Sequence, residues 1–138
     1  MNYGKSIRLQ APFAETADRV RRALKEQGFG VLTEIDVRAT LREKLGEDME
    51  DYLILGACNP PLAHRALQVD RRVGLLLPCN VVVRAEGAQT LVEALDPEVM
   101  VSVTGRDDLG PVAAEAAARL QDALASLRNQ ADGPGQEG

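Results

Sequence analysis

Both cysteines and the only histidine of this chain fall within one short segment, residues 58–80. Each cysteine is followed by an asparagine. Thiol and imidazole groups are the side chains best suited to binding a metal or to acting as a nucleophile near neutral pH. If the protein has a chemical site, we therefore expect it here, and the candidate ligand-binding residues are Cys58, Asn59, His64, Cys79 and Asn80.

Metal binding is one hypothesis for this segment. Cys58, His64 and Cys79 could supply three ligands to zinc or copper if the elements that carry them adjoin. Their spacing matches no standard zinc motif, and a fourth ligand would have to be Glu34, Asp36 or water. The metal ion therefore stays one candidate beside a small molecule.

The alternative is that the same residues only cap and pack. Cys79 has the strand parity of four aliphatic residues, and a free thiol on such a face is commonly a small, inert hydrophobe. Asn80 has the opposite parity, so its amide would bond irregular backbone near Pro78 or line a pocket. The four aliphatic residues are Leu75, Leu77, Val81 and Val83.

Cys58 is predicted to end a strand just before a helix begins. A helix N-terminus can lower a thiol's pKa, and its N–H groups can receive an anion. Pro60 and Pro61 remove two of those N–H groups, and Asn59 is a typical cap. His64 would lie on the first or second helical turn, where a histidine is more often a surface residue than a ligand.

Catalysis is less well supported than binding. No oxyanion hole or third orienting group accompanies a Cys–His pair, and no glycine-rich phosphate loop is present in the sequence. The sequence therefore favours a small-molecule or metal-ion binding module without assigning a cofactor. The alternative is a non-catalytic structural or interaction protein that acts as a homodimer.

Hydrophobic spacing predicts the elements that position this segment. Pro78 predicts a bulge or an edge position for the fourth strand, and the unbroken apolar run at 52–58 predicts a central strand. Asp107 or Asp108 is expected to cap the last helix. The predicted strands are 3–10, 29–37, 52–58, 74–84 and 89–95, and the predicted helices are 12–27, 39–46, 60–69 and one with a stripe over 109–127.

This order predicts an α+β fold in which a mostly antiparallel, curved sheet carries two long helices on one face, with short connecting helices. Residues 1–128 form the single predicted domain, and the polar, glycine-rich tail 129–138 is predicted to be disordered. A five-stranded open sheet leaves edges that must be paired or covered, which favours a homodimer.

Composition argues against several classes of partner and location. The net charge of -5 argues against nucleic acid, whose binders cluster Lys and Arg. No stretch approaches the roughly 20 apolar residues of a membrane span. The start, 1–5, has no apolar run behind a basic residue, so we expect no export signal, reduced thiols and a cytoplasmic protein.

Three segments also carry a family resemblance. They are 28–37 (Gly-Phe, then Val-Leu-Thr-Glu-Ile-Asp-Val), 54–60 (Ile-Leu-Gly-Ala-Cys-Asn-Pro) and 74–83 (Gly-Leu-Leu-Leu-Pro-Cys-Asn-Val-Val-Val). Together they resemble the bacterial and archaeal family of unknown function numbered 302, over roughly residues 5–128. The resemblance implies a fold like that of the TATA-box-binding protein and a homodimer of small subunits, and it implies no reaction. Because fold does not imply function, DNA binding is not carried over.

Overall fold

The computed structural model describes residues 2–132, with side chains described for 2–128. The strands are β1 (Gly4–Leu9), β2 (Gly30–Asp36), β3 (Tyr52–Cys58), β4 (Cys79–Glu86) and β5 (Gln89–Leu95). The helices are α1 (Phe13–Glu26), α2 (Val37–Leu45), α3 (Pro60–Val69), α4 (Val99–Thr104) and α5 (Gly110–Asp132), with 3-10 turns at Arg71–Leu76 and Asp107–Leu109.

The five strands form one antiparallel sheet in the order β1-β5-β4-β3-β2, curved and open. Side chains alternate between its two faces. On the inner face, Leu55, Val81 and Ala94 are cross-strand neighbours and all are buried. The helices α1 and α5 pack on each other and bury Val20 and Leu127 against this face. The predicted α+β class is confirmed.

A second, smaller apolar cluster lies beside the main core. The helix α3, the turn at Arg71–Leu76, the short helix α4 and the first half of α5 enclose it. The sequence analysis placed no element where α4 lies. The buried residues of this cluster are Leu62, Ala66, Val73, Met100, Leu109, Val112 and Ala116.

The prediction for the fourth strand was wrong about the residue at which the strand starts and about its place in the sheet. It begins at Cys79 rather than at residue 74, and it is the central strand rather than an edge. Pro78 precedes the strand, joined to Leu77 by a cis peptide bond. Proline cannot donate to a central ladder, so pairing starts only after it. Leu75, expected on the buried face, is 79% exposed in the 3-10 turn.

Two further boundaries differ from the prediction. The helix α5 begins at Gly110, so Asp107 and Asp108 lie in the preceding turn and do not cap it, and Asp108 pairs with Arg106 at 2.9 Å. The helix continues to Asp132, so residues 129–132 of the predicted tail are helical. The rest of that tail, 133–138, lies outside the described residues.

The two edges of the sheet are β1 and β2. The strand β2 has no buried residue and carries a register shift between Val31 and Thr33, which is typical of an edge. Its exposed large aliphatic residues are Leu32 and Ile35. The strand β3 lies inside the sheet, between β4 and β2, as its apolar run predicted. None of the helices within residues 2–132 is long and apolar enough to cross a membrane.

Candidate functional site

A small cavity lies where β3 ends and β4 begins, between the sheet and the helices α3 and α5. Its volume is ≈ 40 Å³, and its wall combines residues of both apolar clusters. The sheet contributes Ala57, Cys58 and Cys79, and the helices contribute alanines, among them Ala66 and Ala113. The cavity is thus placed by the two segments that the sequence analysis singled out.

Three of the five candidate residues line this cavity and two do not. Cys58, Asn59 and Cys79 are in its wall. His64 is exposed on α3 and is not part of the wall. Asn80 is exposed on the uncovered face of the sheet. The structure therefore brings together the end of β3 and the start of β4, and it leaves the imidazole outside.

The three proposed metal ligands do not come together. Among the described side chains, residues 2–128, no three His, Cys, Asp or Glu groups are close enough to hold a metal ion. Cys79 is the cross-strand partner of Ala57, and Cys58 is the next residue along β3. Side chains alternate along a strand, so the two cysteines differ in strand parity, but both border the cavity because Cys58 is the last residue of β3.

The suggested fourth ligands are engaged elsewhere. Glu34 accepts two hydrogen bonds from Arg21, each of 2.8 Å, and this guanidinium holds the pKa of the Glu34 carboxyl below its usual value. Asp36 caps α2 by accepting from the backbone N–H of Ala39 at 2.9 Å. Both carboxylates therefore stabilise the β2 region.

Asn59 joins two helices. Its Oδ1 accepts from the backbone N–H of Leu62 at 3.3 Å, which caps α3 as predicted. Its Nδ2 donates to the backbone carbonyl of Gln27 at 3.4 Å, where α1 ends. Gly28 follows with a φ of +85°, and a Cβ there would lie 3.0 Å from this Nδ2. Both ends of the amide are thus used by the fold.

Three of the first four N–H positions of α3, counted from the cap Asn59, cannot receive an anion. Pro60 and Pro61 have none, the N–H of Leu62 is capped by the Asn59 side chain, and the N–H of Ala63 donates to the Asn59 carbonyl at 2.9 Å. The first four amides of a helix are those that would receive an anion. The anion-binding hypothesis for this helix is therefore unsupported.

The two thiols differ in exposure. Cys79 is 7% exposed and Cys58 is half-buried, as the parity argument predicted. Burial, helped by the neighbouring Cys58, raises the pKa of the Cys79 thiol to about 11. Cys79 is therefore protonated at neutral pH and behaves as a small apolar side chain.

The helical walls of the cavity are not among the residues predicted from the sequence. Alanines at i,i+3 spacing, Ala63 and Ala66 in α3 and Ala113 and Ala116 in α5, face the space. This spacing puts two small side chains on one helix face, which is a readable signal. This spacing does not predict that α3 and α5 face each other across a gap.

Asn59 is the first residue to test. The substitution Asn59→Ala removes the cap and the bond to Gln27, and we expect it to lower the free energy of unfolding by about 1–3 kcal/mol. Asn59→Asp keeps a capping oxygen but cannot donate to Gln27, so its loss should be smaller. Urea unfolding measures both, with Asn80→Ala as an exposed control within about 0.5 kcal/mol of wild type. Wild-type stability of Asn59→Ala would contradict this account.

The thiols should also react in a fixed order. With iodoacetamide at pH 8, native protein should be alkylated at Cys58, while Cys79 reacts only after unfolding because it is buried and protonated. Peptide mass spectrometry reads both sites, and Cys58→Ala isolates Cys79. The thiolate of Cys79 should gain appreciable population only as the pH approaches about 11. Equal alkylation rates at pH 8 would disprove the burial argument.

Comparison with known proteins places the chain in a family. Residues 5–127 match the family model of a domain of unknown function, DUF302. The crystal structure of an uncharacterized conserved DUF302 protein from Bacillus stearothermophilus has a TM-score of 0.84 and 33% sequence identity, over 90% of this chain and 97% of that chain. No curated protein matches the chain. The likeness to the TATA-box-binding protein stays a prediction. This protein belongs to the DUF302 family.

Proposed function

We propose that this protein is a small-molecule binding module whose site is the cavity at the end of β3. The observation that carries the proposal is a cavity of ≈ 40 Å³ between two apolar clusters, walled by alanines. Protein interiors usually leave few voids larger than a water molecule. A leucine at Ala66 or Ala113 would occupy this space, so the short side chains keep a gap that a ligand can fill.

Binding is favoured over catalysis by the chemistry of the wall. Cys58 and Cys79 are the only titratable side chains among the described residues that line the cavity. Cys79 is held protonated, and no acid or base lies beside Cys58 in the wall to activate it. The proposal is limited to small molecules because the candidate metal ligands do not lie together.

The two thiols also support a cytoplasmic location for the proposed binding module. Cys58 and Cys79 are both free. Reduced cysteines fit a cytoplasmic protein.

Screening with small molecules tests the proposed site. A mixture of neutral, cationic and anionic fragments is added to nitrogen-15-labelled protein, and we expect amide shifts centred on Ala57, Cys79 and Ala113. Ala63→Leu at the half-buried edge of the wall should weaken binding at least tenfold by filling the space. The matched control Ala114→Leu, on the exposed side of α5, should bind like wild type. Shifts scattered over the surface, or unchanged by Ala63→Leu, would count against the proposal.

A second candidate function is that of an interaction protein acting as a homodimer. The observation in its favour is an apolar row across the uncovered face of the sheet, where Ile35, Ile54 and Val82 are cross-strand neighbours. Ile35 is 48% exposed, and Leu32 on the same edge strand is 66% exposed. Edge strands with exposed aliphatic residues commonly need a partner. A second copy of the chain would cover this row.

Sedimentation velocity tests the homodimer. Wild-type protein at micromolar concentration should sediment as a dimer, and Ile35→Lys should shift it to monomer by placing an unpaired charge in the interface. Val103→Lys is the matched control, because Val103 is 61% exposed on α4, which packs on α5 and the 3-10 turns. A wild-type monomer, or equal effects of the two lysines, would rule out this arrangement.

A further inference from the structure

We infer that the group that enters the cavity is uncharged and apolar, so that the ligand is a small hydrocarbon-like molecule or carries a short aliphatic end. The inference rests on the proposed function, because it takes the cavity as the ligand site. It names the chemical class that the wall can accept.

The one amide side chain among the described residues that line the cavity is already bonded. The Asn59 amide uses its oxygen for Leu62 and its nitrogen for Gln27. The first amides of α3 are absent at the two prolines or occupied by Asn59. These bonds fix the orientation of the amide, so a polar or anionic ligand gains at most one further N–H donor from it, too little to offset its own desolvation.

The wall offers no charge to a charged ligand. None of the described residues that line the cavity is an Asp, Glu, Lys, Arg or His. Cys79 is protonated at neutral pH, so it supplies no thiolate to a cation. Burying an ion without a counter-charge is strongly unfavourable. An anion and a cation are therefore both rejected.

The same wall binds water poorly. A bound water normally needs about two to four polar partners, and this partly open, largely apolar wall supplies few of them. The sulfur atoms of Met100 and Cys79 are polarisable and adapt well to an apolar guest. An apolar group therefore displaces no well-bonded water and gains contacts with the wall.

Size limits the group further. The volume of ≈ 40 Å³ lies far below the roughly 300–1,000 Å³ of pockets that enclose a drug-sized ligand. It exceeds the roughly 10–15 Å³ that one water requires. The buried part of the ligand therefore has only a few non-hydrogen atoms, comparable to a short or branched alkyl group.

Isosteric pairs of neutral and charged probes test the inference. Propane is matched in shape by dimethylammonium, and isobutene is matched by acetate. Each is titrated into labelled wild-type protein at equal ionic strength while the amide signals of Ala57, Cys79 and Ala113 are followed. We expect both hydrocarbons to shift these signals and each ion to bind at least tenfold more weakly. Ala63→Leu should abolish the hydrocarbon shifts, and Ala114→Leu should keep them.

The outcomes separate the two proposals. If an ion shifts the cavity signals as strongly as its neutral partner, the inference is overturned while the binding site stands. If the hydrocarbons have no effect but a fragment from the mixed screen binds in the cavity, the inference fails alone. If neither the four probes nor any fragment perturbs the cavity signals, the inference and the proposed function fail together.

Discussion

The structure around the cavity depends on one backbone carbonyl, that of Gln27 at the end of α1. It accepts hydrogen bonds from the Asn59 side chain at 3.4 Å and from the Arg119 guanidinium at 3.3 Å. These donors belong to the start of α3 and the middle of α5, so one oxygen links three helices. An unpaired carbonyl at a covered helix end would be costly, and this cost favours the observed arrangement. Gly28 is required beside it by its positive φ and by the close approach of Asn59.

This junction explains why the Cys-Asn-Pro segment gives an apolar site rather than a polar one. Asn59 caps α3 and bonds to the end of α1. Pro60 and Pro61 lack the N–H groups that would otherwise attract an anion. What remains toward the cavity is aliphatic surface and sulfur. Asn59 and the two prolines, which belong to the predicted chemical site, therefore fix the helices in place. Their consequence for the proposed function is the space that the fixed helices leave between them.

Local signals made part of this structure predictable. The bounds of α3, 60–69, and of β3, 52–58, follow from an asparagine cap, proline at the first helical positions and a short apolar run. The start of β4 was not predictable in this way, because Leu75 to Leu77 are as aliphatic as the strand itself. Only the position of Pro78 in a central ladder decides where pairing begins. The cavity is less predictable still, since Ala66 and Ala113 meet only through the packing of α3 on α5.

The Cys-Asn pair occurs twice, at residues 58–59 and 79–80, and strand parity gives the two pairs different surroundings. Cys79 lies on the inner face with Ala57, whereas Cys58 and Asn80 have the parity of the uncovered face. The two pairs are therefore out of phase in strand parity, although both cysteines border the cavity. Both thiols line the cavity, Cys79 as a buried side chain and Cys58 as a half-buried one. No third metal-ligating group joins these two sulfurs among residues 2–128, so the geometry supports the proposed apolar site better than a metal site.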